Sequence, residues 1–195
     1  MKNYHQAFAR TLDIARSQER VAVTDRSMPM YQVTFETDID VLNYALTLEH
    51  LEAAFYEASG EFDLGTDGFG NNINEWMGVI GQHEADHVTT LTQVITDLGG
   101  MPVERAMYDF GVTDAASFLA TAMVLENVGV AAYDGAGQFI QNTDLLTAAG
   151  SIVAVEARHA AYLNVLNLES PFPAAFETPM TPDEVLAAAG GFIKP

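Results

Sequence analysis

The 195-residue chain predicts an all-α fold: a four-helix bundle made of two helical hairpins joined by one long crossover. Three observations predict it. All seven prolines lie at positions 29, 102, 171, 173, 179, 182 and 195, which leaves two long stretches where helices can run without interruption. Apolar residues recur at helical spacing through both stretches. The breaks within each stretch are short, whereas the link between them, MPVERAMYDFGV, can span ~40 Å at ~3.3 Å per residue. That reach lets the third helix restart at the end of the bundle where the second began.

The elements follow in order. The N-terminal extension, 1–36, contains Tyr4 to Val21, whose thin apolar face could pack as a helix outside the bundle. The bundle itself takes 37–170. Its first helix opens at Thr37-Asp38, carries Val41, Leu42, Ala45, Leu48, Leu51 and Phe55 at helical spacing, and gives way to the Gly60 to Gly70 loop. The second runs from about Asn72, with Ile73, Trp76, Met77, Ile80, Leu91, Val94, Ile95 and Leu98 on one face, and stops at Gly99-Gly100. The third begins near Thr113-Asp114, continues through Phe118, Leu119, Met123, Val130 and Ile140, and ends around Asn142. The fourth starts at Thr143-Asp144 and passes through Leu146, Ile152, Val153, Leu163 and Leu166. A tail, 171–195, holds a short helix with a capping-box start at Thr181-Pro182-Asp183-Glu184 and a Gly190-Gly191 stop.

Composition excludes several functions. A formal charge of -19, from 27 acids against 8 bases, repels phosphate backbones and anionic lipid, so nucleic acid and membrane surfaces are not expected partners. No apolar run reaches the roughly 18 residues needed to cross a bilayer, and the first thirty residues carry no export-type apolar segment. The expectation is a cytoplasmic protein, or a periplasmic or secreted one if the N-terminus is processed. The absence of cysteine rules out disulfides and thiolate ligands, so any metal must be held by oxygen and imidazole. Between Ser27 and Ala157 the only lysine or arginine is Arg105, which leaves the carboxylates of that stretch almost no cationic side chain to pair with.

Against this background one constellation stands out. The second helix contains Glu84-Ala-Asp-His87 and the fourth Glu156-Ala-Arg-His159. At i, i+3 both side chains share one helix face and can converge on one ion. A single Glu-x-x-His is a weak signal, but here register strengthens it. Glu84 and His87 interrupt the apolar stripe 73, 76/77, 80 … 91, 94/95, 98 where core residues belong, and Glu156 and His159 interrupt the stripe of the fourth helix in the same way. In the first and third helices Glu49 precedes Tyr56 by seven residues and Glu126 precedes Tyr133 by seven. Residues 49 to 91 are thus echoed by 126 to 163, a weak twofold repeat of chemistry as well as packing. Four charged glutamates facing one apolar interior would cost several kcal/mol each if unpaired, and Arg105 alone could not neutralise them. Two divalent cations would compensate them; the alternative is protonation with raised pKa values. Four carboxylates with two imidazoles suit iron or manganese, with zinc as an occasional occupant.

Other residues receive plainer readings. Tyr56 and Tyr133 sit at a spacing that also suits core aromatics. Glu52, one turn after Glu49 and matched by Gly129, can be an extra ligand, a hydrogen-bond partner or a helix-edge acid, the last being expected. His83 is expected to be structural, His50 and Asp86 to lie on solvated faces, and Met77 and Met123 to fill the core.

The pattern Glu49, Glu84-x-x-His87, Glu126, Glu156-x-x-His159 resembles the dinuclear carboxylate site of the ferritin-like superfamily, which includes rubrerythrins, bacterioferritins and manganese catalases. LTLEHLEAAFYEA, VEARHAAYL and the tail FETPMTPDEVLAAAGGFI are similar to the ferritin-like-domain family related to desiccation-associated proteins. The resemblance covers about 37–167. It implies that Glu49 and Glu126 are terminal ligands, that Glu84 and Glu156 bridge two iron or two manganese ions, that His87 and His159 each cap one, and that Tyr56 and Tyr133 donate to the ligand carboxylates from outside. Implied activities are ferroxidase- or peroxidase-like chemistry with dioxygen or peroxide, or manganese-catalase-like peroxide disproportionation. A non-catalytic stress or desiccation protein, or iron storage in a cage, are the other classes, and a homodimer is left open.

Overall fold

The computed structural model describes residues 35–194; the expectation of a helix over Tyr4 to Val21 lies outside them. Five α-helices follow in order: α1 Asp38–Tyr56, α2 Ile73–Asp97, α3 Ala115–Gly137, α4 Thr143–Leu166 and α5 Pro182–Ala189, with 3-10 turns at Glu57–Glu61 and Gly190–Phe192. Each α-helix among the described residues starts on a side-chain cap. Thr37, Asp114 and Thr181 close reciprocal boxes with Asp40, Ser117 and Glu184, and Asn72 and Asn142 accept from the second amide of their helices.

α1 packs along α2 and α3 along α4, and α1 also faces α3. The crossover between α2 and α3 is laid along the outside of α1 by three residues spaced seven apart. Asn43 donates to the Met101 carbonyl at 3.2 Å and accepts from the Val103 amide at 2.7 Å; His50 Nε2 meets the Val103 carbonyl at 3.2 Å; Glu57 takes a two-pronged bond from Arg105. The crossover therefore travels the length of α1, and α3 runs antiparallel to it. His50, expected on a solvated face, instead helps to hold this strap, while Asp86 is exposed as expected. The tail completes the fold. Met180 donates to the Ala131 carbonyl of α3, and Asp109 and Lys194 bond to Phe192 and Met107 across the crossover.

Some expectations need correction. α3 stops at Gly137 rather than near Asn142, since two weak helix formers, Gly135 and Gly137, fall in its last turn and 138–142 form the link to α4. Trp76, Leu98 and Leu146 are more than two-fifths exposed. At 100° per residue only one of the neighbours Trp76 and Met77 can point inward, and it is Met77; Leu98 and Leu146 sit at helix ends. α3 does have the length and apolar content of a membrane span, contrary to the sequence expectation. Here that apolarity serves the interior, with Phe118, Ala122, Leu125 and Ala132 all buried.

The core is layered along the bundle axis. One apolar cluster gathers Leu51, Phe55, Ile73, Met77, Phe118 and Leu125, with the Phe55 and Phe118 rings stacked at 4.6 Å. A second, toward the start of α1, gathers Leu42, Leu46, Leu91, Ile95 and Ile152. Between them lies a layer of buried carboxylates.

Candidate metal centre

Glu49 from α1, Glu84 and His87 from α2, Glu126 from α3, and Glu156 and His159 from α4 converge on this layer. All four glutamates have no solvent exposure, and the histidines keep 13% and 6% of their side-chain surface. The contacts come in symmetric pairs. His87 Nδ1 lies 3.1 Å from Glu49 and 3.0 Å from Glu156, while His159 Nδ1 lies 3.2 Å from Glu126 and 3.1 Å from Glu84. The Tyr56 hydroxyl donates to Glu126 at 2.5 Å, and the Tyr133 hydroxyl donates to Glu49. A local twofold axis relates the two halves, as the repeat in the sequence anticipates.

Two donor sets result, each drawn close enough to hold one ion: Glu49, Glu84, His87 and Glu156; and Glu84, Glu126, Glu156 and His159. Glu84 and Glu156 belong to both. Their oxygens also carry the clearest sign of something to be bound. Glu84 Oε1 and both oxygens of Glu156 are completely buried and make no hydrogen bond among the described residues, although His159 Nδ1 lies 3.1 Å from Glu84 Oε1 and His87 Nδ1 3.0 Å from Glu156 Oε1.

Electrostatics describe the state without metal. Burial lifts Glu49 to about 8, and it lifts Glu126 well above the usual carboxylate range. For Glu156 burial also pushes upward, yet His159 and His87 beside it bring it down to about 2. Burial works to lower both imidazoles, but the surrounding carboxylates hold His87 and His159 up at about 12. Tyr56 and Tyr133 are pushed up by burial and then by Glu126 and Glu49 respectively, so both remain protonated donors. Two imidazolium protons thus stand where two cations would fit. Hard carboxylate oxygens plus two inward-facing Nδ1 atoms form a donor set suited to dications, which would displace those protons on binding.

Glu52 corrects the expectation of a helix-edge acid. It is 3% exposed, a fifth buried carboxylate, raised well above its ordinary range by burial and then by Glu156, Glu126, Glu84 and Glu49. Its room comes from α3. A Cβ on Gly129, the residue matching Glu52 in the repeat, would come within 2.8 Å of Glu52 Oε1. The signal was present in the sequence as a polar residue on an apolar stripe opposite a glycine, but spacing alone does not tell which neighbour is missing a side chain. His83 is likewise more than a packing residue, since its Nδ1 lies 2.9 Å from His159 Nε2. Met77 is fully buried, and Met123 packs against the same apolar cluster. Arg105 stays outside, bonded to Glu57.

The ferritin-like domain family model matches residues 37–169. No curated protein matches the chain. Among solved structures the chain is similar to a conserved hypothetical protein from Mycobacterium tuberculosis, with a TM-score of 0.57 and 18% identity, covering 65% of this chain and 93% of that one. At that identity the likeness speaks for the fold only. With an antiparallel bundle, a crossover along α1 and a carboxylate and histidine layer in its middle, the chain belongs to the ferritin-like domain family.

Proposed function

We propose that this protein holds two iron or two manganese ions and acts on dioxygen or peroxide as an oxidoreductase. The observation that carries the reading is the pair of overlapping donor sets, with the orphaned carboxylate oxygens among the described residues belonging to the two glutamates common to both. Glu49 and His87 would serve one position and Glu126 and His159 the other, with Glu84 and Glu156 shared. Two redox-active ions so held would supply electrons in a pair and offer exchangeable positions to a small oxidant.

The remaining roles belong to the chain. Tyr133 and Tyr56 each occupy one oxygen of Glu49 and Glu126, which fixes the orientation of those carboxylates and leaves the other oxygen to face the centre. The apolar layers on both sides keep bulk water out, which strengthens every charge interaction between them. A cavity of about 50 Å³, lined by Leu42, Ala45, Leu91, Ala132 and Ile152, reaches Tyr133 on the α1-start side and suits a small apolar molecule such as dioxygen.

Protein loaded anaerobically with Fe(II) is expected to consume dioxygen or peroxide faster than a Glu84→Ala, Glu156→Ala variant. Equal rates would remove the reading. Metal analysis of protein produced with iron and manganese both supplied, followed by a peroxide disproportionation assay, separates iron chemistry from the manganese-catalase-like alternative, which alone releases oxygen in proportion to peroxide.

A further inference from the structure

Beside the Glu52 and Gly129 pair, the twofold relation between the halves fails at a second place next to the centre. His83 precedes Glu84 on α2; the residue preceding Glu156 on α4 is Val155. His83 Nδ1 stands 2.9 Å from His159 Nε2, with ring centroids 5.2 Å apart and the planes 15° from parallel. A centroid separation equal to the N···N distance plus two ring radii means that the rings meet edge to edge in nearly one plane, so the shared proton lies along the line of the nitrogens. Val155 has nothing to offer in the corresponding place, and among the described residues no acceptor meets His87 Nε2.

This difference acts on metal binding through the tautomer. His159 turns Nδ1 toward Glu84 and Glu126, so an ion there needs Nδ1 free of its proton and the proton kept on Nε2. His83 Nδ1 is the acceptor that holds that proton and fixes the ring plane. His87 must adopt the same tautomer without such a partner, and it is the more exposed of the two, at 13% against 6%. Outer partners of this kind are worth 10–100-fold in metal affinity.

We infer that the two metal positions are built unequal: His83 is a positioning residue that makes the Glu84, Glu126, Glu156, His159 position fill first and bind more tightly than the Glu49, Glu84, His87, Glu156 position. The inference rests on the dinuclear reading above and specifies how that site loads. It also gives the centre a direction, because the more weakly held ion sits on the His87 side, where the histidine is more open to solvent.

Cobalt(II), which is spectroscopically visible and does not react with dioxygen readily in such oxygen-rich sites, is the probe. Titration of the metal-free full chain, followed by absorption and calorimetry, is expected to show two equivalents taken up in steps separated by about 10–100-fold. His83→Ala is expected to weaken the first step by that factor and merge the two. His83→Asn, whose side-chain oxygen can take the place of Nδ1, is expected to restore the separation. In the loaded wild type one paramagnetically shifted imidazole N–H should exchange slowly with solvent, and the same signal should exchange fast in His83→Ala, a change that a packing role would not produce. Uptake of both equivalents in one step by the wild type, or an unchanged separation in His83→Ala, would overturn the inference while leaving the dinuclear site intact. Failure of the wild type to bind cobalt at all would remove the dinuclear reading itself.

Discussion

Without metal the protein should become less stable as pH rises through neutrality, the reverse of what an acidic protein with simple surface pairs would do. Glu49 is lifted from 4.5 to about 8 by burial, so between those values the folded chain keeps a proton that the unfolded chain has lost. A group with a raised folded pKa contributes stability that is complete below its unfolded value and lost as pH rises to the folded one, at about 1.4 kcal/mol per unit. From pH 5 to pH 7, Glu49 alone therefore removes ~3 kcal/mol, or on the order of 5–10 °C in Tm for a domain of this size. Glu52 and Glu126, raised in the same direction, add to the slope, and His87 and His159 join it above 6.5 because they are held near 12. Opposing terms are small in this window. Glu156, held at about 2, yields its stability only below pH 4.5, and His50, lowered by burial, works the other way just below 6.5. The assay is thermal unfolding of chelator-treated protein from pH 5 to 8, with and without added Mn(II). The apo Tm should fall with pH, and the stabilisation by metal should grow with pH as protons cease to compete. An apo Tm that is flat or rising between pH 5 and 7 would refute the buried carboxylate layer as the source of the proton linkage.

Three further outcomes follow from the same geometry. Glu84→Ala or Glu156→Ala should depress binding of both equivalents of metal, whereas Glu49→Ala should spare the His159 side and Glu126→Ala the His87 side; elemental analysis after desalting reads this directly, and equal losses across all four would contradict the shared assignment. Glu52→Gln should raise the Tm of the apo protein at pH 7 and flatten its pH slope, since it removes a buried carboxyl on which the folded chain must keep a proton that the unfolded chain has lost, while Gly129→Ala should reduce stability by about 1–3 kcal/mol by pressing on Glu52 Oε1. Gly135→Ala should detach the tail, because a Cβ there would lie 1.9 Å from the Met180 carbonyl oxygen; limited proteolysis should then cut before α5 while the helix content of α1 to α4 persists, and an uncut tail would argue against that close approach.

How far the fold could be read in advance depended on which interactions are local. Helix starts are decided by a cap and the two or three residues after it, so Thr37, Asn72, Asp114 and Thr181 could be placed closely from sequence. The end of α3 could not, because the competition between Gly135, Gly137 and the apolar Ile140 is settled by where the link meets α4 and Asp38, whose carboxylate accepts from the Gln141 and Asn142 amides. The six residues of the centre were legible because each replaces an apolar residue on a stripe of known period, and because each occurs twice. Glu52 and His83 lack a chemical counterpart in the repeat, so the argument that found the six residues passed over these two. Their meaning depends on partners more than seventy residues away in sequence, Gly129 for Glu52 and His159 for His83.

The departures from symmetry are therefore as informative as the symmetry. Two identical half-sites would suffice to hold two ions, and a helical hairpin repeated along the chain supplies them. Keeping a fifth carboxylate in an apolar layer is costly unless something compensates it, and the twofold axis would bring a second one against the first if Gly129 were also a glutamate. Only one half can carry the extra acid, and only one half carries the extra histidine: α1 contributes Glu52, α2 contributes His83, and both belong to the first hairpin, while the second hairpin answers with Gly129 and Val155. A centre that only stored charge would gain nothing from such a division. A centre whose two positions must differ, one retained and one exchanged, needs the halves to diverge at residues that touch the ligands without replacing them, and His83, at hydrogen-bond distance from His159, is one such residue.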